Sequence, residues 1–207
     1  MKTIIITGPS GSGKSYISKK LSKLFNNTIV LKTDSYYKDN IFIRFLSKCQ
    51  NDIYDRPFSF KKNEIMKTLK CIHNKDRSIT SYKYNFKRKD SSKSKVNINY
   101  EGGNQFLILE GIFAHRLDLN YKETINIVCA EEKGVCFKRR LKRDQLERGR
   151  EINDVHQKFD MSWYLFYKNV HRYLNYNDVF SISTQDKISY NKLILKLEKE
   201  KKTKKNN

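Results

Sequence analysis

The octapeptide Gly8-Pro9-Ser10-Gly11-Ser12-Gly13-Lys14-Ser15 fits Gly-x-x-x-x-Gly-Lys-Ser/Thr at every specified position. At ordinary residue frequencies a chain of 207 residues meets that pattern by chance only about once in a hundred. Its flanks supply the context. Ile4-Ile5-Ile6-Thr7 is a short β-branched run suited to a buried strand, and Ile17, Leu21, Leu24 and Phe25 recur at the spacing of an amphipathic helix. Glycines let successive N–H groups turn inward around phosphate oxygens, and the helix N-terminus adds the positive end of its dipole. Lys14 can reach β- and γ-phosphates, and the Ser15 hydroxyl is placed to ligate Mg²⁺. The ligand expected at these eight residues is a nucleoside triphosphate with magnesium.

Further apolar runs occur at Thr28–Leu31, Phe106–Leu109, Thr124–Cys129 and Val179–Ile182. They are short and show little alternation, as strands buried on both faces of a parallel sheet do. Helical spacing continues at Phe137 and Leu141, through Phe159–Leu174, and at Leu193, Ile194 and Leu197. The expectation is an α/β fold: a P-loop NTPase-type parallel sheet flanked by helices with right-handed crossovers. Ser78–Tyr100 alternates, is aromatic and is broken by a basic turn, so it is read as a β-hairpin excursion. One domain is expected over residues 1–190, with the hairpin at about 78–100 and a lid at about 138–152. Residues 191–207 are expected to form a terminal helix and a basic tail.

The formal net charge is +21, and the stretches 83–95, 138–150 and 196–207 hold 14 of those charges. Such a field admits nucleotides, phosphorylated metabolites and nucleic acid as partners. A chain this rich in Lys, Asn, Ile and Tyr also arises from AT-rich coding, which would deplete arginine. The arginine cluster at 139–150 therefore calls for its own explanation. No apolar run approaches the roughly 20 residues of a membrane span, and no signal-peptide pattern follows Met1, so a cytoplasmic, non-membrane protein is expected. The four cysteines form no Cys-x-x-Cys pair, and His73, His115, His156 and His171 have no ligand spacing. Trp163 and its aromatic neighbours read as core or subunit interface, with a homo-oligomer left open.

Asp34 follows the second strand in Leu31-Lys32-Thr33-Asp34, and Glu110 ends Phe106-Leu107-Ile108-Leu109-Glu110. Strand C-termini of an open parallel sheet share one edge, so both acids should stand beside the phosphate loop. There Asp34 can accept a hydroxyl proton or hold a metal-bound water, and Glu110 can organise the metal. In Arg139-Arg140-Leu141-Lys142-Arg143-Asp144-Gln145-Leu146-Glu147-Arg148-Gly149-Arg150 a flexible glycine breaks an arginine-rich helix. A lid that closes guanidinium forks over a γ-phosphoryl group has this form.

On these residues the chain resembles the uridine–cytidine kinases, within the uridine kinase/phosphoribulokinase group. The resemblance runs from Thr3 to about Asp186. It rests on the glycine loop, on Asp34-Ser35-Tyr36-Tyr37, Tyr54-Asp55-Arg56-Pro57, Tyr84-Asn85-Phe86 and Glu110-Gly111-Ile112, and on the Arg140–Arg150 lid. It implies transfer of the ATP γ-phosphoryl group to the 5′-hydroxyl of uridine or cytidine, giving UMP or CMP. Asp34 is then the base, assisted by Lys14 and Arg143. Asp55 binds the ribose hydroxyls, Tyr84 and Phe86 hold the base, and Arg140 and Arg150 contact the nucleoside. Arg143 and Arg148 lie on the phosphates, Ser15, Glu110 and Asp34 organise Mg²⁺, and Asp186 falls near the adenine. Lys89 stands where these relatives place a base-reading His, Lys158 (beside Gln157) where they place a Gln, and Arg56 replaces the His of their Asp-His-Pro block. These departures leave open a same-fold kinase for another acceptor, such as a ribosyl nucleoside or a sugar phosphate. A nucleic-acid-binding P-loop protein is the remaining alternative, without a recognised nucleic-acid motif to support it.

Overall fold

Aliphatic strands and amphipathic helices alternate along most of the chain in the computed structural model, which describes residues 1–25, 28–49, 53–100, 106–117, 119, 124–175 and 178–202. The strands are β1 (Lys2–Thr7), β2 (Ile29–Lys32), β3 (Ser78–Asn85), β4 (Asp90–Asn97), β5 (Phe106–Glu110), β6 (Thr124–Cys129) and β7 (Val179–Ile182). The helices are α1 (Lys14–Leu24), α2 (Ile41–Cys49), α3 (Lys62–His73), α4 (Lys133–Arg148), α5 (Ile152–Leu174) and α6 (Lys187–Lys202). Five strands form one sheet in the order β2-β5-β1-β6-β7, every pair parallel. β3 and β4 form a separate antiparallel hairpin.

The sheet is buried on both faces, which is why its strands are apolar at successive positions rather than alternate ones. Ile4, Ile6, Ile108 and Ile127 point to one side, where Ile17 and Leu21 of α1, the capping Phe25, and Leu193 and Leu197 of α6 cover them. Ile5, Leu31, Leu107 and Leu109 point to the other, against Ile65, Leu69 and Ile72 of α3. Leu24 departs from the helical reading: it is 49% exposed, and α1 buries Lys14 and Ser18 beside Ile17 and Leu21. The loop lysine belongs to the inward face because the helix opens on the site.

α3 also seats the hairpin. Tyr36 Oη donates to Thr68 Oγ1 at 3.2 Å, Thr68 Oγ1 to the Thr80 carbonyl at 3.3 Å, and Tyr82 Oη to Glu64 at 2.8 Å. The arginine-rich segment is helical through Arg148 and ends at Gly149, as the sequence suggests, but α5 begins at Ile152, well before Phe159. Along α5, Phe159, Trp163 and Tyr167 stack at centroid distances of 5.6 and 4.9 Å. No helix among the described residues is long and apolar enough to cross a membrane. The basic tail beyond Lys202 lies outside the described residues.

The sheet order positions the site. Glu110 is level with Lys32 of β2 on one side and Ile6 of β1 on the other. The chain leaving β1 enters the glycine loop within two residues, and the chain leaving β2 reaches Asp34 equally soon. With neighbouring strands about 4.8 Å apart, three features distant in sequence meet along one edge.

Candidate active site

The glycine loop closes on itself before it meets any ligand. Ser12 N donates to the Pro9 carbonyl at 3.2 Å, and Lys14 Nζ donates to the same carbonyl at 3.0 Å. Lys14 is only 7% exposed, so its ammonium is held at the cavity wall with that one described hydrogen bond. Gly13 caps α1 at φ 89°, in the left-handed region, and a Cβ there would run into the Thr184 methyl. Gly13→Ala is therefore expected to lower the stability of the folded chain by about 1–3 kcal/mol, from left-handed strain plus the clash. An unchanged urea midpoint would refute that packing.

Thr33 and Asp34 lie against the end of β5 because Gly111 has no side chain: a Cβ at Gly111 would meet Asp34 Oδ1 at 2.7 Å. Thr33 Oγ1 donates to the Glu110 carbonyl at 3.2 Å, and Ile112 N donates to Asp34 Oδ1 at 2.9 Å. Burial pushes the Asp34 carboxyl above its ordinary range, against the opposing pull of the Lys14 charge and the Ile112 N–H. Glu110 Oε1 accepts from Ser15 Oγ, while Oε2 is buried with no hydrogen-bond partner among the described residues. An orphaned carboxylate oxygen beside a hydroxyl and a second carboxylate fits a divalent cation. No cluster of three or more His, Cys, Asp or Glu that could hold a metal is found among the described residues. The hydroxyl and carboxylate oxygens of Ser15 and Glu110 are the hard donors that suit Mg²⁺, which also keeps waters and substrate phosphates among its ligands.

A cavity of about 350 Å³ opens from this edge. Its far wall is aromatic: Tyr37 lies 5.2 Å from Tyr84, 5.7 Å from Tyr54 and 5.8 Å from Phe86, centroid to centroid. Burial, and then the charges of Asp34 and Asp55, hold the Tyr37 hydroxyl well above its usual range, so it stays neutral. Asp55, in the 3-10 turn Ile53–Asp55, lines the cavity, and its charge also acts on Arg140. Lys89 Nζ donates to Ser47 Oγ at 3.0 Å, and Lys158 pairs with Asp154 at 2.5 Å; both line the cavity, whereas Gln157 is exposed.

The arginines enter from α4 and the turn after it. Arg143 Nη2 donates to Ser10 Oγ of the glycine loop at 3.1 Å, and the Arg148 guanidinium lies 4.0 Å over the Phe86 ring. Arg140 is buried and donates to Ser162 Oγ of α5, at the bottom of a hydrogen-bond distance range; Arg150 pairs with Asp144 at 2.9 Å.

One cavity thus gathers Ser10, Gly11, Gly13, Lys14, Ser15, Asp34, Asp55, Tyr84, Phe86, Lys89, Glu110, Arg140, Arg143, Arg148, Arg150 and Lys158. Gly8, Pro9 and Ser12 shape the loop from behind and do not line it. Asp186 lies outside: Oδ1 accepts from Ile188 N and Ser189 N, so the carboxylate caps α6. Sequence reasoning assigned no role to Tyr37, Tyr54 or Arg139, which line the cavity, nor to Glu131. Buried Glu131 accepts from Ser183 Oγ, Thr184 N and Arg139 Nη1, fastening the β7–α6 loop to α4. Tyr37 adjoins Tyr36 and the Asp34 motif, which was a usable signal; Glu131 carried none.

Residues 3–188 match the model of the Phosphoribulokinase / Uridine kinase family. A uridine kinase of Clostridium botulinum is 31% identical over 154 residues, 72% of each chain. A uridine kinase of Macrococcus caseolyticus is 30% identical over 158 residues, 74% of each. Among solved structures, one described as a "possible uridine kinase" from Bacillus stearothermophilus superposes with a TM-score of 0.54 at 14% identity, covering 86% of this chain and 88% of that one. That last likeness speaks to the fold alone.

Proposed function

Because this chain belongs to the phosphoribulokinase/uridine kinase family of P-loop kinases, we propose that it transfers the γ-phosphoryl group of ATP to the 5′-hydroxyl of uridine or cytidine. The observation that carries this reading is the position of Asp34, in one cavity between the glycine loop and an aromatic wall that also holds Asp55. Residues 1–190 are taken as the kinase unit.

In this mechanism the pyrimidine packs among Tyr37, Tyr84 and Phe86, and Asp55 accepts hydrogen bonds from the ribose hydroxyls. That grip aims the 5′-hydroxyl at Asp34, whose carboxylate is steadied by the Ile112 N–H and takes the proton as the new bond forms. Lys14 leaves the Pro9 carbonyl for the β/γ-phosphate oxygens, and Arg143 and Arg148 bring charge to the group in flight. Ser15 and Glu110, with Asp34 nearby, would hold Mg²⁺, which when bound would supply positive charge against the phosphates. Arg140 and Arg150 line the nucleoside side, and Lys89 and Lys158 add fixed positive charge beside the base. That charge favours a second reading, in which the acceptor is a sugar phosphate.

A half-buried carboxylate that loses two hydroxyl donors forfeits charge-assisted hydrogen bonds worth about 1.5–3 kcal/mol each. Uridine is therefore expected to exceed deoxyuridine at least about tenfold in kcat/KM. Asp55→Ala should depress uridine turnover far more than deoxyuridine turnover. Kinetics with uridine, deoxyuridine and ribulose 5-phosphate on both proteins decide the matter. A wild-type preference for the sugar phosphate would replace the nucleoside reading.

A further inference from the structure

At the centre of the arginine lid lies a carboxylate that touches no solvent. Asp144 is 0% exposed, and four guanidinium groups converge on it. Its Oδ1 accepts from Arg143 Nε at 2.9 Å and Arg143 Nη2 at 2.8 Å, with Arg148 Nη1 at 3.3 Å. Its Oδ2 accepts from Arg150 Nη1 at 2.9 Å and stands 3.6 Å from Arg140 Nε. The main chain of the same residue takes part: Arg150 N donates to the Asp144 carbonyl at 3.1 Å, closing the turn at Gly149.

A device for stability would balance its charges. Here four guanidiniums share Asp144, and the cavity they line carries eight cationic side chains against Asp34, Asp55 and Glu110, so the excess positive charge is repulsive until an anion arrives. The arginines crowd one another: burial, and then the charge of Arg143, lower the Arg148 pKa to about 10. Each also meets a different wall. Arg143 reaches Ser10 of the glycine loop, Arg148 covers Phe86 of the hairpin, and Arg140 binds Ser162 of α5. Arg143 is gripped along its Nε/Nη2 edge, and Nη1 has no described hydrogen bond, so one edge of the fork is fixed and the other is open to a phosphate.

We propose that Asp144 is the positioning residue of the lid: its carboxylate sets where Arg143 and Arg148 point, so that their charge meets the transferred phosphoryl group in the transition state. The inference rests on the kinase reading above. Asp144 touches neither substrate; it acts through the arginines, and its loss should weaken transition-state contacts more than ground-state binding. Asp144→Asn keeps the shape and makes the cavity more positive, so donor binding survives while aim is lost.

The test measures kcat, KM for ATP and Tm of wild type and Asp144→Asn with ATP, Mg²⁺ and uridine. Expected are a fall in Tm, a kcat lower by about 30-fold or more, and a KM for ATP within about threefold of wild type. A folded variant with kcat within about twofold of wild type, or with a raised KM and unchanged kcat, overturns the proposal. If Asp144→Asn does not fold, Asp144→Glu keeps the charge but displaces it by a methylene. A lowered kcat there supports the proposal and a wild-type kcat overturns it. Failure of both variants to fold also counts against it, because Asp144 would then serve folding rather than aim. If wild type does not phosphorylate uridine, the nucleoside reading fails separately. Arginine Nε–H resonances of ATP-bound protein then decide: an ordered Arg143 signal lost in Asp144→Asn supports the positioning role, and one that persists refutes it.

Discussion

Lys14→Ala should slow phosphoryl transfer by about a thousandfold while leaving the chain folded. The ammonium is nearly buried at the mouth of the glycine loop and donates to the Pro9 carbonyl. A charge in so dry a position acts on phosphate oxygens with little screening, and it is strongest where negative charge builds up as the bond to the leaving oxygen breaks. Alanine removes that charge and its hydrogen bond to the Pro9 carbonyl, but not the backbone N–H groups or the α1 dipole. ATP binding should therefore weaken less than turnover falls. Removing a buried ammonium relieves a desolvation cost, so no large loss of stability should accompany the kinetic loss. The measurement is single-turnover kinetics with ATP and Mg²⁺, alongside circular dichroism. Turnover near wild type in folded Lys14→Ala protein would sink the kinase assignment.

What the sequence could disclose was governed by how local each signal is. The five sheet strands are local: each is a short apolar run, and buried parallel strands have little choice of composition. The hairpin disclosed itself through alternation in β3, although β4 is largely polar and exposed and was carried by its partner. α3 went unread even though Ile65, Leu69 and Ile72 have helical spacing and fill the core beside β2 and β5. α2 is harder, because Ile43 and Ser47 face inward while Ile41, Phe42 and Phe45 are exposed, so hydrophobicity does not mark the buried face.

The site followed the same division. The glycine loop, Asp34 and Glu110 could be placed together because sheet topology alone sends strand ends to one edge. Arg143 and Arg148 were recognisable from a motif, but their convergence on Asp144 was not, since a helix with acids and bases reads as a solvated face until its packing is known. Tyr37 and Tyr54 reach the cavity only through the fold of the turns that follow β2 and α2. Glu131 binds a loop some fifty residues away, a contact no local pattern encodes.

Asp34→Asn is the substitution in which chemistry and stability should move in opposite directions. The amide keeps the shape and can still accept from Ile112 N through its oxygen, but it cannot take a proton. Loss of a general base lowers turnover by about 10²–10⁴-fold, and the upper end is expected here because the proposed mechanism gives Glu110 to the metal and Asp55 to the ribose, leaving no second base. Burial raises the Asp34 pKa above the 3.8 of an unperturbed aspartate, so the folded chain favours the protonated form more than the unfolded chain does. The ionised carboxylate therefore subtracts stability above its folded pKa, and that penalty shrinks as pH falls towards the unfolded value. Asn carries no such penalty. Asp34→Asn should be at least as heat-stable as wild type at neutral pH, with the two Tm values converging as the pH is lowered. The same raised pKa places the acid limb of the wild-type pH–rate profile higher than an ordinary aspartate would, since activity requires the ionised form. Titration of kcat/KM and of Tm across pH 4–8 reads both effects. Collapsed turnover with a preserved or higher Tm marks Asp34 as the base, whereas a loss of both would make its bond to Ile112 a prop for the β5 turn rather than an aim for the hydroxyl.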